Sequence, residues 1–272
     1  MPDRRRCAVL GSPVAHSLSP RLWRAAYAEL GLDWTYDAIE CTSDDLPERL
    51  AGMAASGEWV AVSLTMPLKL TAVSLVDDLD AAAAAAGAVN TVVFEPDRLR
   101  GMNTDVPGLS ACLDEAGAVV ADRAAPLVLG GGGTARAAVV ALARAGAETV
   151  RVAVRDTARA TPLLAVGARS GCEVRLEAWP MATSELGEPP VVVQTAPAGA
   201  ADGLAATGEW PPGVPLVEVL YDPRPTDLAV AAGRSGARVV DGLRLLAHQA
   251  AVAIAVVTRS SIQMDVLGAA LR

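Results

Sequence analysis

Aromatic residues make up only 3% of this 272-residue chain, with a single Phe, while hydrophobic residues make up 52%. The interior must therefore be closed by Ala, Val and Leu, whose small faces call for tight packing of helices. Histidine is nearly absent. His16 and His248 are the only two, neither stands at zinc-ligand spacing from a cysteine, and no metal centre is expected. Cys7, Cys41, Cys112 and Cys172 are scattered without a C-x-x-C pair, which argues against a disulfide framework and for buried thiols in a reducing, cytoplasmic compartment. No apolar run reaches the ~18 residues of a membrane span. The arginine-bearing start leads into a strand-length apolar segment and then Pro13, unlike a secretory signal. A net charge of −8 supplies no basic stripe for nucleic acid or an acidic membrane. The expected partner is a small molecule, bound by a monomer or a homodimer.

Lysine is scarcer still. Of 23 basic residues, 22 are arginine and one is Lys69, at the end of VSLTMPLK (62–69). An amine can give up its proton near neutral pH when desolvated, whereas a guanidinium effectively cannot. A lone lysine in an arginine-rich chain therefore marks a candidate for proton transfer. Asn90 and Asn103, the only asparagines, each open an Asn-Thr pair at a strand edge or end, and Asp105 follows the second. Asn-Thr-Asp before an apolar helix is also an N-cap signal.

Apolar runs suited to strands recur at 7–10, 34–40, 59–64 and 87–94, with helices expected over 21–30, 44–56 and the alanines after 80. This alternation predicts an α/β fold with a mostly parallel sheet. Lys69 then falls just past the carboxyl end of a strand, where open α/β sheets place their ligands. A second system opens at PLVLG (126–130). A buried strand is followed by Gly130, Gly131, Gly132, Gly133, Thr134 and Ala135, then by a helix ending near Gly146. Gly130, Gly132 and Ala135 fit the G-x-G-x-x-[G/A] dinucleotide pattern, in which glycines let backbone approach a pyrophosphate at a helix N-terminus. The next strand (150–154) ends at Arg155-Asp156-Thr157-Ala158-Arg159. The arginines can clamp the 2′-phosphate of NADP, while Asp156 at that place admits NAD. Further strands at 173–178, 191–195 and 216–220 complete a doubly wound sheet, helices follow near 227–233, over 243–257 and over 262–271, and a short strand is expected at 238–240.

With VSLTMPLK, GAVNTVV (87–93), GMNTD (101–105), GGGGTARA (130–137), DGLRLLAHQA (241–250), HSLSP (16–20) and YDPRPT (221–226) in hand, the chain resembles the shikimate dehydrogenase family over about residues 7–258. The resemblance implies an N-terminal α/β substrate domain (1–104, with 243–272 returning to it) and a Rossmann NADP domain (105–242), with the active site in the cleft between. It implies that Ser17, Ser19 and Tyr221 hold the carboxylate of shikimate or 3-dehydroshikimate. Thr65, Asn90, Asp105 and Gln249 would surround the ring hydroxyls, and Lys69 with Asp105 would handle the proton as hydride moves to or from NADP. Gly242 and Leu245 would lie on the cofactor side.

Four positions depart from the family's usual residues. Trp23 replaces a His, Val154-Arg155-Asp156 replaces Asn-Arg-Thr, Leu245 replaces a Met, and Glu218 stands where Asp is common. Two alternatives stay open within the resemblance: quinate or aminoshikimate as substrate, with NAD as cofactor, and a ligand-binding relative without turnover. Ser rather than Thr at position 19 favours shikimate, and the presence of both Lys69 and Asp105 speaks against the non-catalytic relative.

Overall fold

The computed structural model describes residues 5–120, 124–207 and 209–272; the first four residues of the arginine-bearing start lie outside them. The chain divides into two compact units, one of residues 1–105 and 246–272, the other of 106–245. Both divisions fall within or at the start of a helix, so no linker of distinctive composition marks them in the sequence.

In the first unit, β1 (Arg6–Gly11) leads to α1 (Ser19–Glu29), β2 (Thr35–Glu40), α2 (Leu46–Ser56), β3 (Trp59–Leu64) and the one-turn α3 (Leu68–Thr71). There follow β4 (Asp78–Leu79), α4 (Ala81–Ala86), β5 (Thr91–Glu95), β6 (Arg98–Met102) and then α5 (Asp105–Ala116), which belongs to the second unit after its first residue. The sheet order is β2-β1-β3-β5-β6-β4. It is mixed: β2, β1 and β3 are parallel, whereas β5 runs antiparallel to β3 and β6. Side chains alternate across β1. Cys7 and Val9 join a core with Trp23, Tyr27, Tyr36, Ala250 and Ile254, while Ala8 and Leu10 join Leu46, Leu50, Leu68 and Ala83 on the other face. The few aromatics are concentrated in the first of these cores. Trp23, in the position of the family's His, stacks on Tyr36 with ring centroids 4.8 Å apart, so the substitution serves packing.

Two expected boundaries shift for local reasons. The helix expected from Asp44 begins at Leu46, because the Asp45 carboxylate turns back to accept from the Thr42 hydroxyl at 2.7 Å instead of capping forward. The strand expected over 87–94 begins at Thr91. Gly87 ends α4 in the left-handed region (φ +59°), and the next three residues bond elsewhere. Val89 N–H donates to the Lys69 carbonyl (2.8 Å), Asn90 N–H to the Met102 carbonyl (3.0 Å), and the Asn90 carbonyl accepts from Leu64 N–H (2.7 Å).

The second unit holds β7 (Leu127–Leu129), α6 (Gly133–Arg144), β8 (Thr149–Val154), α7 (Pro162–Ser170), β9 (Glu173–Ala178) and β10 (Val192–Gln194). It continues through α8 (Asp202–Ala206), β11 (Leu216–Glu218), α9 (Asp227–Arg234) and β12 (Val239–Val240). Helices α10 (Gly242–Thr258) and α11 (Met264–Ala270) end the chain, in the first unit from Leu246 onward. All strand pairs of this sheet are parallel, in the order β12-β11-β10-β7-β8-β9. The order reverses between β7 and β10. That is the switch point at which doubly wound sheets take a ligand, and the glycine loop leaves β7 there. No helix of the described residues is long and apolar enough to cross a membrane.

Candidate functional site

Four segments of the first unit end on one edge of its sheet. Because β1 and β3 are parallel neighbours, the loops after Gly11 and Leu64 leave the same edge. Because β5 is antiparallel to β3, its beginning lies at that edge, and so does the end of β6, since Ser63 faces Thr91 and Thr91 faces Met102. Thr65, Lys69, Asn90 and Asp105, spread over 41 positions of sequence, are thereby gathered. Gly11 permits the closeness: a Cβ there would meet Thr65 Cγ2 at 2.3 Å.

Lys69 Nζ lies 2.6 Å from Asp105 Oδ2, with side-chain exposures of 16% and 7%. The other carboxylate oxygen accepts from Asn90 Nδ2 at 2.8 Å. Asp105 is the first residue of α5, where a carboxylate also suits the helix dipole, and its two oxygens are committed to Lys69 and Asn90. Gln249, on α10, is drawn into the same group: its Oε1 lies 3.2 Å from Thr104 Oγ1, and its Nε2 donates to the Leu246 carbonyl at 2.9 Å. Ser19 opens α1 and is buried, and its N–H donates to the Ser17 hydroxyl at 3.3 Å. Asn103 is structural. Its amide donates to the Ala88 carbonyl (2.8 Å), which braces the turn that carries Asn90.

Thr104 carries no distinguishing mark of its own in the sequence. It is 1% exposed and touches both Asn90 and Gln249. The available signal was its place between two chemically informative residues in Asn-Thr-Asp.

In the second unit, Gly130 takes φ +110°, a conformation that favours glycine, and a Cβ there would meet Thr195 Oγ1 at 2.7 Å and Ala196 N at 2.9 Å. The loops after β7 and β10 thus abut at the switch point. Gly132 is the N-cap of α6 with no side-chain cap, and a Cβ there would meet nothing within 4 Å. Gly131 and Gly132 are exposed, Gly133 and Thr134 half-buried, and Ala135 is buried against the sheet. An open cradle beside the uncapped start of a twelve-residue helix fits a pyrophosphate.

Arg155, Asp156 and Arg159 are exposed after β8. The Asp156 carboxylate accepts from the Arg159 N–H at 3.1 Å, closing a turn. Gly242 starts α10 against backbone, since a Cβ there would lie 2.4 Å from the Leu220 carbonyl oxygen. Leu245 is buried.

Tyr221 is half-buried in the loop after β11. Both ends of that loop are tied to Glu218, which is 1% exposed. One Glu218 oxygen accepts from Leu220 N–H (3.0 Å) and the other from the Thr226 hydroxyl (2.9 Å), which in turn caps α9 through Ala229 N–H (3.1 Å). Burial pushes the Glu218 carboxyl up to about 7, against the pull of these donors. All four cysteines are buried and free, and no cluster suited to a metal ion occurs among the described residues.

A profile of the shikimate dehydrogenase substrate binding domain matches residues 9–92. The shikimate dehydrogenase (NADP(+)) of Methylobacterium radiotolerans is 37% identical over 261 residues, which cover 90% of this chain and 88% of that protein. Among solved structures, the shikimate dehydrogenase of Mycobacterium tuberculosis is 38% identical, covers 98% of each chain and superposes with a TM-score of 0.83. A shikimate 5-dehydrogenase of Thermus thermophilus, solved in complex with NADP(H) and shikimate, is 33% identical, covers 98% of each chain and gives a TM-score of 0.82. The chain belongs to the shikimate dehydrogenase family.

Proposed function

We propose that the chain is an NADP-dependent shikimate dehydrogenase, reducing 3-dehydroshikimate to shikimate and catalysing the reverse reaction. The observation that carries this is the 2.6 Å Lys69–Asp105 pair, held by Asn90 on a sheet edge lined with hydroxyl and amide side chains. NADPH bound at the glycine loop supplies the hydride that reduces the carbonyl. Lys69 donates the proton that the new alkoxide takes up, and in the oxidative direction it accepts the hydroxyl proton. Asp105 holds the amine in place and accepts from a ring hydroxyl. Ser17, Ser19 and Tyr221 bind the substrate carboxylate, and Thr65, Asn90 and Gln249 the ring hydroxyls. Neutral donors and acceptors suit a polyol, because a site built to hydrogen-bond hydroxyls rejects analogues that leave its buried groups unpaired.

Residues 1–105 with 246–272 form the substrate unit in this assignment, and 106–245 the cofactor unit. Gly130 to Ala135 take the pyrophosphate, with Gly242 and Leu245 beside the cofactor. The exposed Arg155 and Arg159 after β8 favour NADP over NAD, since they can clamp its 2′-phosphate. Buried free thiols suit a cytoplasmic enzyme. The test is a panel of initial rates with shikimate, quinate and aminoshikimate, each against NADP+ and NAD+. Shikimate with NADP+ is expected to give the highest kcat/KM; a higher value with quinate or with NAD+ would reassign substrate or cofactor respectively.

A further inference from the structure

Amide nitrogens and oxygens are placed by their partners, and two backbone groups beside Thr104 leave no choice. The Thr104 N–H can only donate, and it meets Asn90 Oδ1 at 2.8 Å. That fixes the amide of Asn90, whose Nδ2 therefore donates to Asp105 Oδ1 (2.8 Å) and to Thr104 Oγ1 (2.9 Å). The Leu246 carbonyl can only accept, and it meets Gln249 Nε2 at 2.9 Å. Gln249 must then present Oε1 to Thr104. The Thr104 hydroxyl has one proton and two acceptors in reach, Gln249 Oε1 at 3.2 Å and Asn90 Oδ1 at 3.3 Å. Asn90 Oδ1 already accepts from the Thr104 N–H and from the Thr91 hydroxyl (3.2 Å). The proton goes to Gln249.

We infer that Thr104 is a positioning residue whose hydroxyl joins two amides already oriented by backbone, accepting from Asn90 Nδ2 and donating to Gln249 Oε1, and so holds Asn90 against Asp105. This rests on the assignment of Lys69 and Asp105 as the catalytic pair. The hydroxyl is the only member that accepts from one amide and donates to another. Without it Asn90 Nδ2 loses an acceptor in a buried setting and the half-buried Gln249 Oε1 loses a donor, and nothing joins the two amides. Thr104 itself acts through Asn90 and Gln249.

Thr104→Val keeps the volume and the β-branch and removes the hydroxyl. It is expected to lower kcat/KM for shikimate by about 10- to 100-fold, the size of effect that follows from buried groups left unpaired, with kcat itself reduced. The KM for NADP+ is expected to change by less than about threefold, because the second unit is untouched. Thr104→Ser should return kcat/KM to within about threefold of the parent. Should Thr104→Val fail to fold, Thr104→Ala beside Thr104→Ser makes the same comparison, since that pair differs by the hydroxyl alone. Native kcat/KM in the Val or Ala variant would overturn the inference, and so would a Ser variant as impaired as Val at an unchanged melting temperature. Lys69→Met assayed in parallel separates the two failures. Turnover retained in Lys69→Met would remove the catalytic assignment, whereas an inactive Lys69→Met beside a native Thr104→Val would remove the role of Thr104 alone.

Discussion

The polar groups of the first unit are closed on one another, while those around the glycine loop of the second are left open. Buried Asp105, Asn90 and Thr104 form one hydrogen-bonded group with half-buried Lys69 and Gln249. The second unit instead offers a cradle without side chains at Gly131 and Gly132, an uncapped helix start, and two exposed arginines. A small polyol whose reacting hydroxyl must be chosen among similar neighbours calls for preset side chains in fixed orientations. A long anionic cofactor is held by backbone donors and charge, which need space more than mutual support. In one chain the same sheet-edge logic thus serves two chemistries, by filling one edge and leaving the other bare.

If the closed group carries the chemistry and the open loop only binding, substitutions in the two should fail differently. Lys69→Met should lower kcat by about 10²- to 10⁴-fold, the range for a lost general acid–base group, with the KM for NADP+ little changed; stopped-rate assays at saturating substrate measure this. Replacing Arg155 and Arg159 together by Ala should raise the KM for NADP+ by about 100-fold or more, since each hydrogen bond to a charged phosphate is worth about 1.5–3 kcal/mol. The same change should leave NAD+ kinetics nearly untouched. An equal loss with both cofactors would blur the contrast, because the arginines would then act on more than the 2′-phosphate.

The smallest expected effect concerns Glu218, a carboxyl of the second unit that is as enclosed as Asp105 in the first. Its carboxyl titrates near 4.5 in the unfolded chain and at about 7 in the native one. Between these values the native protein binds more protons, so stability is full below about 4.5 and declines as pH rises to about 7. The displacement corresponds to about 3 kcal/mol. Glu218→Gln should remove this decline, so that urea midpoints of variant and parent diverge increasingly from pH 5 to pH 8 in favour of the variant. Parallel pH dependence in the two proteins would show that Glu218 titrates normally.

Much of the architecture was legible because the period of the apolar residues and the glycines declared it. Cys7–Leu10, Trp59–Leu64 and Glu173–Ala178 alternate or run apolar at strand length, and Gly31, Gly117 and Gly146 sit where helices stop, each at positive φ. What escaped the sequence depends on contacts between distant segments. The strand expected from Gly87 starts late because Val89, Asn90 and Met102 meet across the sheet edge. The α3 turn that carries Lys69 is four residues long, too short to show a period. The antiparallel insertion of β5 and β6 is invisible to a pattern that distinguishes strands from helices but not their directions. At the site, Lys69 and the asparagines stood out by rarity, and the glycine loop by its strand-loop-helix setting. Thr104 is one threonine among many, and only the placement of Asn90 and Gln249 on either side of it gives it meaning.

The central claim is that Lys69 moves a proton and does not merely supply positive charge beside Asp105. Lys69→Arg keeps the charge and removes the readily transferable proton. Measured as kcat for shikimate oxidation with NADP+, alongside shikimate affinity by calorimetry, it should show turnover reduced by at least about 100-fold with shikimate still bound. Near-native turnover in Lys69→Arg would contradict the account.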